Sequence, residues 1–147
     1  MHMERNESKA PLVLMEQVIM VLVFALVSAV CIQAFALART TSLRMTERDH
    51  AMNVSQTLAE TVKACGGDPE AVCEKLGGGI DGEQLFFYYD SDWKEVPTSA
   101  DASFRMVFEK EASDGFCKYG RITVSDNAGE REIFSMRVAW QGAEAYE

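Results

Sequence analysis

One carboxylate in this chain sits where water is scarce. Glu16 is the only charged side chain between Leu12 and Ala38, and Ser28 and Gln33 join the adjacent Gln17 as rare polar neighbours in that run. An ionised side chain at the centre of a bilayer costs about 2.5–3.5 kcal/mol on insertion scales, and less near the interface. Such a group reaches the interface, takes a proton, or meets a cationic partner. Only the third option carries chemistry: an ion pair in an apolar medium, which removes most of that cost.

The other reactive residues form weaker sets. Cys65 and Cys73 flank Gly66-Gly67-Asp68-Pro69. A turn there allows a disulfide, which suits an oxidising exterior, or two unpaired thiols on two packed helices. Cys31 lies inside the apolar run, where it acts as a small apolar residue. No CxxC pair or nearby histidine completes a zinc set. Asp90 and Asp92 offer oxygens to a calcium ion, which needs six to eight ligands; two aspartates in a turn read more simply as turn formers. His50 reads as a solvated side chain. Gly77-Gly78-Gly79 lacks the Gly-Lys-Ser/Thr that a phosphate-binding loop requires. No nucleophile elbow is present. No catalytic residue, cofactor site or metal set is legible, so a protein that is not an enzyme is expected.

The elements that carry Glu16 are easier to read. At 1.5 Å per residue, Leu12 to Ala38 makes roughly 40 Å of helix, more than the ~30 Å hydrocarbon core of a bilayer. The run exceeds the 7–15 apolar residues of an ordinary signal peptide. Residues 12–38 are therefore expected to be a single transmembrane helix in the cell membrane, surrounded by lipid. Residues 1–11 are expected to be an N-terminal leader or cytoplasmic segment, polar up to Ala10, with Pro11 suited to a helix start. Signal cleavage after Ala36 or Ala38 is the rival reading. Small residues Ala25, Ser28, Ala29 and Ala36 permit a second helix to approach. Arg5 and Lys9 on one flank, against Arg39, Arg44 and Arg48 on the other, do not fix orientation.

Beyond Ala38 the composition changes while the helical period continues. Leu43, Ala51, Val54, Leu58, Val62 and Cys65 recur at steps of three and four, with charged and amide residues between them. No Pro or Gly occurs between Pro11 and Gly66, so one helix of roughly 80 Å from Leu12 to Ala64 is expected, transmembrane first and amphipathic after. Gly66-Gly67 ends it. Asp68 is an N-cap, and Pro69 begins a short helix to Leu76. The three glycines read as a flexible joint. Strands are expected at 84–89, 93–96, 103–110, 116–125 and 132–140, the short second one stopping before Pro97. Their aromatics are expected in the core. Residues after Gln141 read as a frayed end.

Residues 39–147 are thus expected to form an α+β domain, in which Ala51 to Cys65 covers an antiparallel sheet of about four strands. From Arg39 onward there are 12 Lys/Arg and 20 Asp/Glu. That balance repels nucleic-acid phosphates and anionic lipid heads, so no nucleic-acid partner is expected.

The start Leu12-Val13-Leu14-Met15-Glu16-Gln17-Val18, followed by an apolar helix, resembles type IV pilins and type II secretion pseudopilins. It is most similar to the pilin-like proteins of Gram-positive anaerobes. The likeness is specific over Lys9 to Arg39 and architectural beyond. It implies that a prepilin peptidase cuts between Pro11 and Leu12, which makes Glu16 the fifth residue of a methylated mature chain. That family favours Gly, or sometimes Ala, before the cut. This chain has Pro11 there and Ala10 one residue earlier. The likeness further implies that Glu16 pairs with the N-terminal amine of a neighbouring subunit. It places the domain outside, in a filament of a type IV pilus, competence or type II secretion-like system built with other pilin-like subunits. The alternatives are an uncut bitopic protein with an acidic outer binding domain, and a secreted domain freed by signal cleavage.

Overall fold

The computed structural model describes residues 9–142. The polar leader before Lys9, with His2, and the frayed end after Gly142 lie outside the described residues. Helix α1 runs Lys9–Ala64, so it begins two residues upstream of Pro11. Proline is tolerated in that first turn because its missing N–H has no intrahelical acceptor there. No later residue breaks the ladder. The hydroxyls of Thr57 and Thr61 bond back to the carbonyls of Asn53 and Thr57 at 3.1 and 2.9 Å, so these β-branched residues keep their polar groups satisfied within the helix. Gly66 and Gly67 take φ of 63° and 79°, and the Gly67 N–H donates to the Val62 carbonyl at 2.9 Å. The left-handed turn caps α1 as the Gly-Gly pair predicts.

The chain divides into two compact units, Met1–Arg44 and Met45–Glu147. The first contains the apolar length of α1. The second contains the amphipathic length of α1 and every other element. In the second unit α2 (Pro69–Leu76) opens on Asp68, whose carboxylate accepts from the Glu70 N–H at 3.2 Å. The sheet follows, with β1 (Gly79–Asp81), β2 (Gln84–Tyr89), β3 (Glu95–Val96), β4 (Phe104–Asp114), β5 (Cys117–Asp126) and β6 (Glu132–Gln141). All pairings are antiparallel, in the order β1-β2-β4-β5-β6, with β3 also on β2.

The sheet has six strands where about four were expected. The three glycines are not simply a joint: Gly77 and Gly78 turn with positive φ, and Gly79 pairs with Phe86 to begin β1. The second strand is shorter than expected because Trp93 takes φ of 61°, outside the β region. Phe116 lies in the two-residue loop between Asp114 and Cys117, so β5 starts one residue later than expected.

The core forms where the stripe on α1 meets the sheet. Ala51, Leu58, Ala59 and Val62 are buried with Val72 of α2 and with Leu85, Phe87, Met106, Phe108, Ile122, Val124, Val138 and Trp140. Val54 and Cys65 pack against the same cluster. Each fully buried Leu or Phe contributes about 1.5–3 kcal/mol relative to exposure. Two glycines let aromatics close the layer. A side chain at Gly120 would strike the Phe108 ring, and one at Gly67 would strike the Trp140 indole. That indole N–H donates to the Gly66 carbonyl at 3.1 Å, tying β6 to the end of α1. At the opposite end Arg131 meets Glu47 at 3.0 Å.

Gly67→Ala adds both a left-handed backbone penalty of about 1–2 kcal/mol and a clash with Trp140. At Gly66 nothing lies within 4 Å, so Gly66→Ala carries the backbone penalty alone. Thermal unfolding followed by near-ultraviolet dichroism will rank Gly67→Ala well below Gly66→Ala in stability.

Candidate membrane and assembly site

The first unit presents an apolar helix surface with no protein against it. Leu14, Ile19, Leu22, Phe24, Ile32 and Phe35 are between 52% and 80% exposed. No side of the segment is buried: of Leu12 to Ala38, only Ser28 is less than fully open. A soluble core helix hides one stripe; an all-round apolar helix needs an apolar medium or sister helices. The helix is long and apolar enough to cross a membrane, which fits a single-pass anchor. Small residues Ala25 and Ala29 stand one turn apart on it, so one face is low enough for a second backbone to come near.

Ala10, Pro11, Leu12 and Glu16 all lie in the first two turns of α1 and all are exposed. Glu16 stands one turn beyond Leu12, among Val13, Ile19 and Met20. Among the described residues it has no hydrogen-bond or ion-pair partner. The structure places Leu12 and Glu16 on neighbouring turns of one helix.

The weaker sequence candidates in the second unit take structural places. Asp90 Oδ1 accepts the Asp92 and Lys94 amides at 2.8 and 2.9 Å, which makes it the organiser of the β2–β3 loop. That loop holds Trp93 between the His50 ring, at 5.8 Å, and the Phe104 ring, at 4.3 Å. His50 is therefore exposed and also stacked, where the sequence suggested only a solvated side chain. The stack pins the loop to α1 and explains why a bulky residue accepts positive φ. The aromatic run divides by alternation. Phe87 is core, and Phe86 and Tyr88 are half-buried on the opposite face.

Cys65 and Cys73 are both free thiols. Burial first, and the Glu95 carboxylate second, push the Cys73 thiol up from its ordinary range. The same two causes push the Tyr89 phenol up to about 12. Glu95 also borders an open cleft of about 390 Å³ lined with Gly78, Gly79, Tyr88, Val96 and Pro97. No cluster of three or more His, Cys, Asp or Glu able to hold a metal occurs among the described residues. What sequence reading missed is the second face of the sheet, where Arg121 of β5 and Arg137 of β6 stand side by side on Glu111. Their spacing is visible only once the strands are in register.

Comparison with family models, with curated proteins and with solved structures finds no match to this chain. The functional reading therefore rests on the geometry of α1 and on the sequence of its first turns.

The raised Tyr89 value has a defined sign. The phenol of the folded chain holds its proton up to about 12, against 10.0 when unperturbed. Its contribution to stability is complete below pH 10 and is lost as the pH rises toward 12. Denaturant titrations across that window will show the loss, and Tyr89→Phe will remove this part of it. By the same physics Cys73 will react with iodoacetamide more slowly than an unperturbed thiol, and Glu95→Gln will speed it.

Proposed function

We propose that this chain is a membrane-anchored, pilin-like structural subunit. The apolar length of α1 holds it in the cell membrane as a single span, with residues 45–147 outside. From there it is drawn into a filament of the type IV pilus, competence or type II secretion-like kind. The observation that carries the reading is one exposed carboxylate, Glu16, near the start of a helix that is apolar on every side.

The physical logic is a balance of two media. In lipid, the apolar helix is at ease and Glu16 is the one group that gains from a partner. In a bundle of such helices, the same apolar surface is covered by copies, and Glu16 meets a cation fixed at one height. A cut before Leu12 creates that cation, the new α-amine, about one helical turn from Glu16 of its own chain and free to pair with that of a neighbour. The ion pair sets axial register, and the small residues Ala25, Ser28 and Ala29 let the helices close. No catalytic step is involved, and the partners are lipid, a prepilin peptidase and sister subunits.

The experiment is the intact mass of the protein extracted from its native membrane. A chain beginning at Leu12, or at Pro11, with or without one added methyl group, is the expected result. A full-length mass in the membrane fraction would remove the amine from the scheme and leave an uncut bitopic protein with an acidic outer domain. Loss of everything up to Ala36 or Ala38 would make it a secreted domain.

A further inference from the structure

The outer edge of β2 is notched. β4 holds one edge of β2 from Leu85 to Tyr89. β1 and β3 share the other edge, β1 meeting it at Phe86 and β3 at Tyr88. Neither short strand runs on to Phe87. Gly78 takes φ of 87°, outside the β region. Pro97 follows Val96 and has no N–H to give a ladder. The open cleft of about 390 Å³ lies at this notch, lined by Gly78, Gly79, Tyr88, Glu95, Val96 and Pro97. Small-ligand sites span roughly 300–1,000 Å³, so the notch is large enough for one. A side chain at Gly78 would strike the Phe87 ring and the Phe86 carbonyl, so glycine keeps that wall close to β2.

One charge lines the cleft, and it has no counter-charge. A Cβ at Gly77 would lie 2.7 Å from Glu95 Oε1 and 3.6 Å from Oε2. The carboxylate therefore rests one oxygen against the C-cap of α2 and leaves the other further out. The carbonyl end of a helix favours positive charge, not negative. Glu95 accepts no hydrogen bond and forms no ion pair among the described residues. Lys94 beside it and Lys75 in the last turn of α2 are not paired with it. Its field reaches two neighbours: with burial, it pushes up both the Cys73 thiol and the Tyr89 phenol. Residues 68–101, which supply every wall of the cleft, contain nine acids and two lysines. No positive potential of that segment offsets Glu95, so a cation from outside is what the site lacks.

We propose that the notch binds an alkylammonium group, the head of a lysine side chain or of a free alkylamine, with the ammonium on Glu95 and the stem along Tyr88, Val96 and Pro97. The lining selects that class. A calcium ion needs six to eight oxygens, and the lining residues carry one carboxylate. A guanidinium fork is best met by both oxygens of a carboxylate, and here Oε1 is seated on Gly77. An ammonium is a compact point charge that one free oxygen satisfies, and an aromatic wall such as Tyr88 favours a cation further. The stem gains by covering Val96 and Pro97. The site is separate from the assembly reading: all its residues lie in the unit 45–147 and none on the apolar length of α1.

The test is a ¹H–¹⁵N correlation titration of the full chain in detergent micelles at constant ionic strength. One arm adds N-acetyl-lysine methylamide and the other adds pentane-1,5-diamine. Saturable shifts of the Gly78, Gly79, Glu95 and Val96 amides are expected in at least one arm. A response to the lysine amide alone supports the site and assigns it to a lysine side chain of a protein. A response to the diamine alone supports it and assigns it to a free amine. Glu95→Gln should weaken binding about tenfold. Glu83→Gln, at the exposed β1–β2 turn, should leave it unchanged. No saturable shift in either arm would overturn the proposal. So would equal binding of pentan-1-ol, tighter binding of butylguanidinium, equal weakening by Glu83→Gln, or full binding by a Glu95→Gln chain whose spectrum shows it folded.

Discussion

Everything in this chain follows from an apolar helix surface that water cannot solvate. Residues from Leu12 to Leu37 expose Leu, Val, Ile, Met and Phe on all sides of α1. At about 25 cal/mol per Å², such a surface is the largest uncompensated term in the molecule. Lipid or sister helices must cover it. That requirement places Glu16 in an apolar medium, where an unpaired carboxylate is costly.

The same helix then serves a second purpose without a linker. Past Arg44 its composition splits into an apolar stripe and a polar remainder, and the stripe becomes one layer of a two-layer α+β core. Trp140 on Gly67 closes one end of that core and Glu47 with Arg131 the other. The β2–β3 loop is held by a His50–Trp93–Phe104 stack. The exposed ion pair adds little stability by itself; the buried side chains of α1 and the sheet supply it.

Much of this was legible in the residues. The absence of Pro and Gly from Leu12 to Cys65 defines α1, and Gly66-Gly67 with Asp68-Pro69 marks its end and the start of α2, because those residue types have few other local uses. Alternation in Phe104-Met106-Phe108 and in Phe134-Met136-Val138-Trp140 identifies β4 and β6. Gly79-Ile80-Asp81 was illegible as a strand: three residues after two glycines carry no period, and pairing with β2 creates β1. Trp93 has strand-like chemistry, yet the Asp90 carboxylate bends its loop and packing overrides propensity. His50 gave no sign of its partner, which lies far away in sequence. The arginine face was invisible for a deeper reason. Arg105, Arg121 and Arg137 stand on three different strands, and only register shows that two share one glutamate while the third has none.

The most direct measurement is the reactivity of Cys31 toward a membrane-impermeant maleimide in intact vesicles. Cys31 lies on the apolar length of α1 and is exposed on the isolated chain. If lipid or sister helices cover that helix, Cys31 will stay unlabelled from either side and react only after detergent is added. Rapid labelling in intact vesicles would put the helix in water and contradict the anchoring on which the proposed assembly depends.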